Sequence, residues 1–453
     1  MAIRLIVLAA GKGTRMKSSM PKVLHRLAGR PLLGHVLDTV STLSPSSITV
    51  VIGHGSDQVK QTNENSVNWA MQTEQLGTGH AVQQALDGID DDDTVLITYG
   101  DVPLTRSETF KALLDVTSND QLGLLTLIVD DPNGYGRIKR VNGAVTGIVE
   151  QKDASEEELA INEINAGVLA VNGGALKQYL SEINNDNAQG EYYLTDIFAL
   201  AVEAGQTVQA VHPQDEWEVE GINSREQLAT LERVYQREQA ALLMASGVTV
   251  RDPARIDVRG TLATGTDNEI DVNCVFIGSC SLGNNVTIGP NCVITDSHIG
   301  DGSVVHANSV LESAELGTEC IVGPFARLRP GSKLAQGAKI GNFVETKNAN
   351  IGVGSKVNHL SYVGDADVGS KVNVGAGTIT ANYDGVNKHK TVLEDGASIG
   401  SNSVLVAPVT VKAGATVGAG STVSKDVDAD TLTFTRAQRK DIQGWPRPVK
   451  IKK

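Results

Sequence analysis

Aromatic residues are scarce: six Phe, three Trp and eight Tyr make up 4% of 453 residues. Any large core must therefore be filled by aliphatic and small side chains. Cysteine is scarcer still, four in the chain, which excludes a disulfide scaffold. No apolar run reaches the length that a bilayer demands. The run Leu5–Ala10 passes straight into glycines and reads as a first strand, not a leader. Positive charge is in deficit, with 39 Lys and Arg against 53 Asp and Glu, a net −14. The basic footprint of a nucleic-acid or anionic-membrane protein is missing. The exception is residues 436–453, where seven basic residues face one acid, Asp441. These absences predict a cytoplasmic protein with no nucleic-acid partner and no membrane insertion.

What is present divides into three stretches. Residues 1–224 alternate short apolar runs (Leu5–Ala10, Ile48–Ile52, Val95–Tyr99, Leu122–Val129) with helical patterns such as Pro31–Leu43 and Gly79–Leu86. That alternation predicts a Rossmann-like α/β domain with a largely parallel sheet, its ligand beyond the carboxyl ends of the strands. Residues 225–247 read as a connecting helix. Ser224 caps it, Leu228, Leu231, Tyr235 and Leu242 share a face, and Gly247 ends it.

In residues 248–453 helical periodicity vanishes and a period of six replaces it. It runs through Ile270, Phe276, Leu282, Ile288 and Ile294, and through Leu316, Val322, Leu328, Leu334 and Ile340. It returns in Ile351, Val357 and Val363, and in Leu393, Ile399, Leu405, Val411, Val417 and Val423. Four residues after many of these comes a small or β-branched residue, among them Ala326, Ser332, Ala338, Val344, Ser355, Ser361 and Ala397. Two inward positions per six residues describe short flat sides around a narrow core, a parallel β-helix. Cys274, Cys280, Cys292 and Cys320 all occupy the small slot, so they read as buried thiols and not as metal ligands. The step of nineteen from Val374 to Leu393 predicts that Asn382–Thr391 is a loop ejected from the helix.

Three clusters in the first stretch carry chemistry. Leu8-Ala9-Ala10-Gly11-Lys12-Gly13-Thr14-Arg15-Met16 closes the first strand with small residues that let backbone N–H groups approach a phosphate or base, and Arg15 and Lys22 add positive charge. It is neither a Walker A loop nor the dinucleotide fingerprint. Gln75-Leu76-Gly77-Thr78-Gly79-His80 is a second turn entering a helix. Asp101, after the buried run Thr94–Tyr99, is placed to hold a hard cation.

In the β-helix, Val357 and Ser361 are inward positions, so His359 between them points outward. A histidine titrating near neutrality is suited to take a proton from an amine. Arg329 and Lys347 are suited to a dianionic phosphate.

These motifs, with Gly134–Ile138, Ile148–Asp153, Glu163–Gly167, Gln189–Tyr193 and Glu220–Asn223, resemble the sugar-1-phosphate nucleotidyltransferases. With a hexapeptide β-helix behind them, the chain is similar over its length to the bacterial bifunctional N-acetylglucosamine-1-phosphate uridylyltransferase/glucosamine-1-phosphate N-acetyltransferase family. The resemblance implies a left-handed β-helix, a homotrimer, Mg²⁺ as cofactor, and UTP and acetyl-CoA as co-substrates. It implies a product, UDP-N-acetylglucosamine, that feeds bacterial envelope synthesis. Leu8, Ala9, Ala10, Gly11, Gln72, Gly77 and Thr78 would hold the uridine, with Tyr99, Gly100 and Asp101 lining the site. Gly136, Glu150 and Asn165 would bind the N-acetylglucosamine, Asp101 and Asn223 the Mg²⁺, and Arg15 and Lys22 the phosphates. In the second half His359 would be the general base. Arg329, Lys347, Tyr362 and Asn373 would hold glucosamine-1-phosphate, and Ala376, Asn382, Tyr383, Ser401, Ala419 and Arg436 would hold acetyl-CoA. Two rivals stay open on the residues alone: a single-activity nucleotidyltransferase whose β-helix only oligomerises, and a non-catalytic binder of nucleotide sugars.

Overall fold

A computed structural model describes residues 2–62 and 66–447; Lys450, Lys452 and Lys453 of the basic tail lie outside the described residues. The chain divides into two compact units, residues 1–235 and 236–453. Among the described residues no helix is long and apolar enough to cross a membrane.

The first unit is built on a nine-stranded sheet. Its main path runs Thr207–Val211, Gln121–Ile128, Glu163–Asn172, Thr94–Tyr99, Ile3–Leu8, Ser47–Ile52, Asn68–Met71. The expected parallel order holds for Ile3–Leu8 with both neighbours. Along that strand Leu5 and Val7 face one apolar cluster while Ile6 and Leu8 face another. Burial on both faces is why these strands read as unbroken apolar runs.

One strand departs from the parallel scheme. Glu163–Asn172 is antiparallel to both of its neighbours in the path, and its register slips between Asn165 and Leu169. A hairpin, Arg137–Val141 with Ala144–Val149, hangs from it. Such a bulge re-aims side chains beside a site, and here it lies in the Glu163–Gly167 motif.

The helix Arg225–Ala245 begins as expected, with the Ser224 hydroxyl accepting from the Gln227 N–H. Its apolar face does not run straight through. Leu231 packs with Met16, Leu27 and Ile222 in the first unit, whereas Ala240 and Leu243 join the core of the second. Leu242, expected on the buried face, is 64% exposed. The second half packs along a different stripe, the one carrying Gln236, Ala240 and Leu243.

The second unit is a parallel β-helix. Every aliphatic position of the six-residue period is buried, and so is each small-slot residue named above, including all four cysteines. Burial pushes the thiols up, Cys274 to about 12. Between Ile294 and Leu316 the scheme continues through buried Ile299, Val305 and Leu311, hidden from a count of six by steps of five. Stacked partners such as Ile288↔Val305, Val305↔Val322 and Val322↔Ile340 set a coil of 17 or 18 residues. From Val374 to Ile399 it lengthens to 25, which is the ejected loop. Thr391, expected in that loop, instead opens the strand Thr391–Leu393 and is fully buried.

Candidate active sites

The first site is a cavity of about 330 Å³ at the carboxyl ends of the paired strands Ile3–Leu8 and Thr94–Tyr99. It is lined by Leu8, Ala9, Ala10, Gly11, Lys22, Gln72, Gly77, Thr78, Tyr99 and Asp101, each given a role above, by Gln75 and Glu191, which the motifs contained without a role, and by Val23 and Ala81. The loop after the first strand reaches over Lys22 because Gly13 has φ 59° and a Cβ there would strike the Lys22 side chain. The turn at Gly77 is stitched to Tyr192 by Gly79 N–H to Tyr192 O and Tyr192 N–H to Leu76 O, both 2.8 Å. Gln72, 4% exposed, donates from Nε2 to Gly77 O at 3.0 Å and pairs with His80 Nδ1 at 3.2 Å.

Lys22 and Asp101 form an ion pair, each side chain 14% exposed. The Lys22 ammonium also donates to Asn223 Oδ1 at 3.0 Å. Asn223 is delivered by the Ile222 N–H, which bonds to Asp101 O at 2.9 Å. Two hard oxygen donors from distant segments therefore already converge on one cation. Their chemistry fits Mg²⁺, which takes one or two carboxylate or carbonyl oxygens and completes its shell with phosphates and water.

Asn165, Gly136 and Glu150 are brought together. Asn165 N–H donates to Gly136 O at 2.9 Å, and a Cβ on Gly136 would lie 3.4 Å from the Glu150 carboxylate. Thr195 donates to Glu150 Oε1 at 3.0 Å. Burial raises the Glu150 carboxyl, opposed by that hydrogen bond. Burial, and then the nearby Glu150 and Asp153, push Asp196 up to about 6. The Tyr99 hydroxyl is raised by burial and then by Glu150 and Asp101. Gly100 packs against Ala9, Val23 and Leu33. Arg15 is not drawn in: it stands exposed on the turn Thr14–Met16.

The second site lies on the β-helix. His359 is exposed, as the register required. It ends the strand Lys356–His359, which is paired with Lys339–Asn342 so that Asn342 lies directly opposite. His359 Nδ1 bonds to Asn342 Oδ1 at 2.7 Å.

From His359 one column runs down a corner of the helix, one residue per coil. Gly377 N–H donates to His359 O, Asn402 N–H to Ala376 O, and Gly420 N–H to Ser401 O. Arg436 Nη2 then reaches Ala419 O at 3.4 Å. His359, Ala376, Ser401 and Ala419 thus stand in line over about 14 Å, three strand spacings, with the Arg436 guanidinium at the end of the row. Four of the six residues expected at acetyl-CoA are members. The other two open the ejected loop: Tyr383 is 61% exposed, whereas Asn382 is buried and donates to Asp365.

The cations gather on the neighbouring face. Arg329 Nη1 pairs with Glu345 Oε1 at 2.8 Å, and Glu345 is stacked on Tyr362. Lys388, then Arg329, hold the Lys347 ammonium below its usual range. Lys388 was not expected from sequence, because nothing in its own segment marks it until the loop folds back. Asn373 sits one coil below Lys356, exposed.

Comparison with known proteins agrees with both halves. Residues 5–135 match the MobA-like NTP transferase domain, and residues 280–313 match the bacterial transferase hexapeptide (six repeats). The chain is 57% identical over 450 residues to the bifunctional protein GlmU of Marinobacter nauticus, covering 99% of each chain. It is 56% identical over 452 residues to the bifunctional protein GlmU of a Janthinobacterium species, covering 100% of each. With alignments that span both units from end to end, the chain belongs to the bifunctional GlmU family.

Proposed function

We propose that the chain makes UDP-N-acetylglucosamine in two steps at two active sites. The β-helix acetylates glucosamine-1-phosphate with acetyl-CoA. The α/β unit then transfers uridylyl from UTP to N-acetylglucosamine-1-phosphate and releases pyrophosphate. The observation that carries the bifunctional reading over a structural β-helix is the column from His359 to Arg436. A rod that only oligomerises has no need of an exposed, oriented imidazole beside a cluster of cations.

In the acetyl site Arg329, Lys347 and Lys388 neutralise the sugar phosphate, with Tyr362 and Asn373 lining the acceptor. His359 takes a proton from the glucosamine ammonium. The freed amine attacks the thioester carbonyl, the C–S bond breaks and coenzyme A leaves as the thiol. Ala376, Ser401, Ala419 and Arg436 would line the track of coenzyme A, and Asn382 and Tyr383 would flank it.

In the uridylyl site a phosphate oxygen of the sugar phosphate attacks the α-phosphorus of UTP. Both partners are anionic, so positioning and charge neutralisation dominate. Leu8–Gly11, Gln72, Gly77 and Thr78 hold the uridine; Gly136, Glu150 and Asn165 hold the N-acetylglucosamine. Asp101 and Asn223 would hold Mg²⁺, whose chemistry is to offset phosphate charge. Lys22 faces the phosphates, and Arg15, exposed on its turn, would meet them from the solvent side.

Assembly as a homotrimer is part of the same reading. It is supported by an apolar ladder at one corner of the β-helix. Phe325 and Phe343 stack with centroids 5.3 Å apart, and they and Leu360 are 49%, 55% and 63% exposed. A cytoplasmic setting follows from the substrates.

Two variants test the division. His359→Ala abolishes acetyl transfer and spares uridylyl transfer, and Asp101→Ala does the reverse. Survival of acetyl transfer in the first, or of normal Mg²⁺-dependent uridylyl transfer in the second, contradicts the assignment.

A further inference from the structure

We infer that Asn342 is the positioning residue of the acetyl site: it selects the tautomer of His359 and aims its free nitrogen at the substrate. The inference rests on His359 being the base, and it deepens that reading.

The contact is built into the coil. Positions 342 and 359 are directly paired on adjacent parallel strands, so their side chains stand one above the other. The backbone around them is pinned. Leu360 N–H donates to Asn342 O at 3.1 Å, and His359 O accepts from Gly377 N–H at 3.2 Å and from the Ser361 hydroxyl at 2.8 Å. Only the imidazole torsions remain, and the 2.7 Å bond from Nδ1 to Asn342 Oδ1 fixes them.

An amide oxygen can only accept. Nδ1 must therefore carry the hydrogen, which leaves the lone pair on Nε2. A general base needs that lone pair exposed and directed. His359 is exposed, whereas Asn342 is half-buried. The residue that holds the ring is thus the more enclosed of the two, as an orienting partner should be.

The neutrality of the partner matters as well. A carboxylate in its place would stabilise the imidazolium and so favour the protonated, idle form of the base. Asparagine orients without adding charge. The charged residues on the strands stacked here are Lys339 and Lys356, opposite each other three positions before Asn342 and His359; the strand below, Asn373–Val374, carries none.

The experiment measures acetyl transfer by Asn342→Ala and Asn342→Asp over a range of pH, beside the native chain and His359→Ala. Asn342→Ala should lower kcat about 10- to 100-fold while the KM for acetyl-CoA holds, showing that the β-helix is intact. Asn342→Asp restores an acceptor and should recover kcat at high pH, with the acidic limb of the profile moved upward by about one pH unit. A native rate in Asn342→Ala overturns the proposal, and so does an acidic limb in Asn342→Asp that stays where it was. If Asn342→Ala fails to fold, the Asn342→Asp profile decides alone. Activity persisting in His359→Ala is a separate failure, that of the base assignment itself.

Discussion

The ammonium of Lys22 is paired with the carboxylate of Asp101, 79 residues away in sequence, and reaches Asn223 Oδ1 as well. A lysine thus holds the two oxygens proposed for Mg²⁺. A divalent cation entering between them must displace it. Lys22→Met should therefore bind Mn²⁺ several-fold more tightly than the native chain when calorimetry is done without nucleotide, although uridylyl transfer falls for want of the phosphate contact. Unchanged or weaker Mn²⁺ binding contradicts this competition.

Asp196 makes the stability of the chain depend on pH in a definite direction. Its folded pKa is about 6, raised first by burial, against an ordinary 3.8. The folded state keeps a proton that the unfolded chain releases, so stability falls as pH rises from about 4 to about 6 and then levels off. Asp196→Asn removes that penalty. Its thermal midpoint should match the native chain at pH 4 and exceed it above pH 6. The gain is about 1 kcal/mol once solvent screening of this partly exposed group is allowed for. A shift of equal size at both pH values would refute the electrostatic cause.

Lys388 lies against Lys347, one of the cations proposed to hold the sugar phosphate. Lys388→Ala should raise the KM for glucosamine-1-phosphate about tenfold, the loss of one charge-assisted contact, and leave the KM for acetyl-CoA unaltered. Equal effects on both would place it elsewhere.

The β-helix core is thin, so single truncations are felt. Ile340 is fully buried, and Ile340→Ala should cost about 3 kcal/mol, measured by denaturant unfolding. A loss below about 1 kcal/mol would mean that the coil collapses around the gap.

Much of this was legible in the residues because a β-helix repeats its demands. Each inward slot, including those of the cysteines, recurs with the coil. The glycine-rich loop and Asp101 were legible because parallel strands deliver their carboxyl ends to one place. The antiparallel strand Glu163–Asn172 was not, since its pairing joins segments far apart. Leu242 misled because a helix can change its buried stripe midway. Arg15 carries a motif, yet its turn leaves it in solvent. Asn342 and Lys388 escaped because their partners lie one coil away or across an ejected loop. A spacing of 17 becomes meaningful only when the coil length is known.

The central claim is that the β-helix is itself an enzyme. The direct measurement is thiol release from acetyl-CoA on adding glucosamine-1-phosphate, without UTP, read with a thiol-specific chromophore. The four buried cysteines should stay silent in the folded protein and react only in denaturant. Thiol release that depends on glucosamine-1-phosphate and vanishes in His359→Ala is the predicted result. No release from folded protein would contradict the account and leave the β-helix as a scaffold.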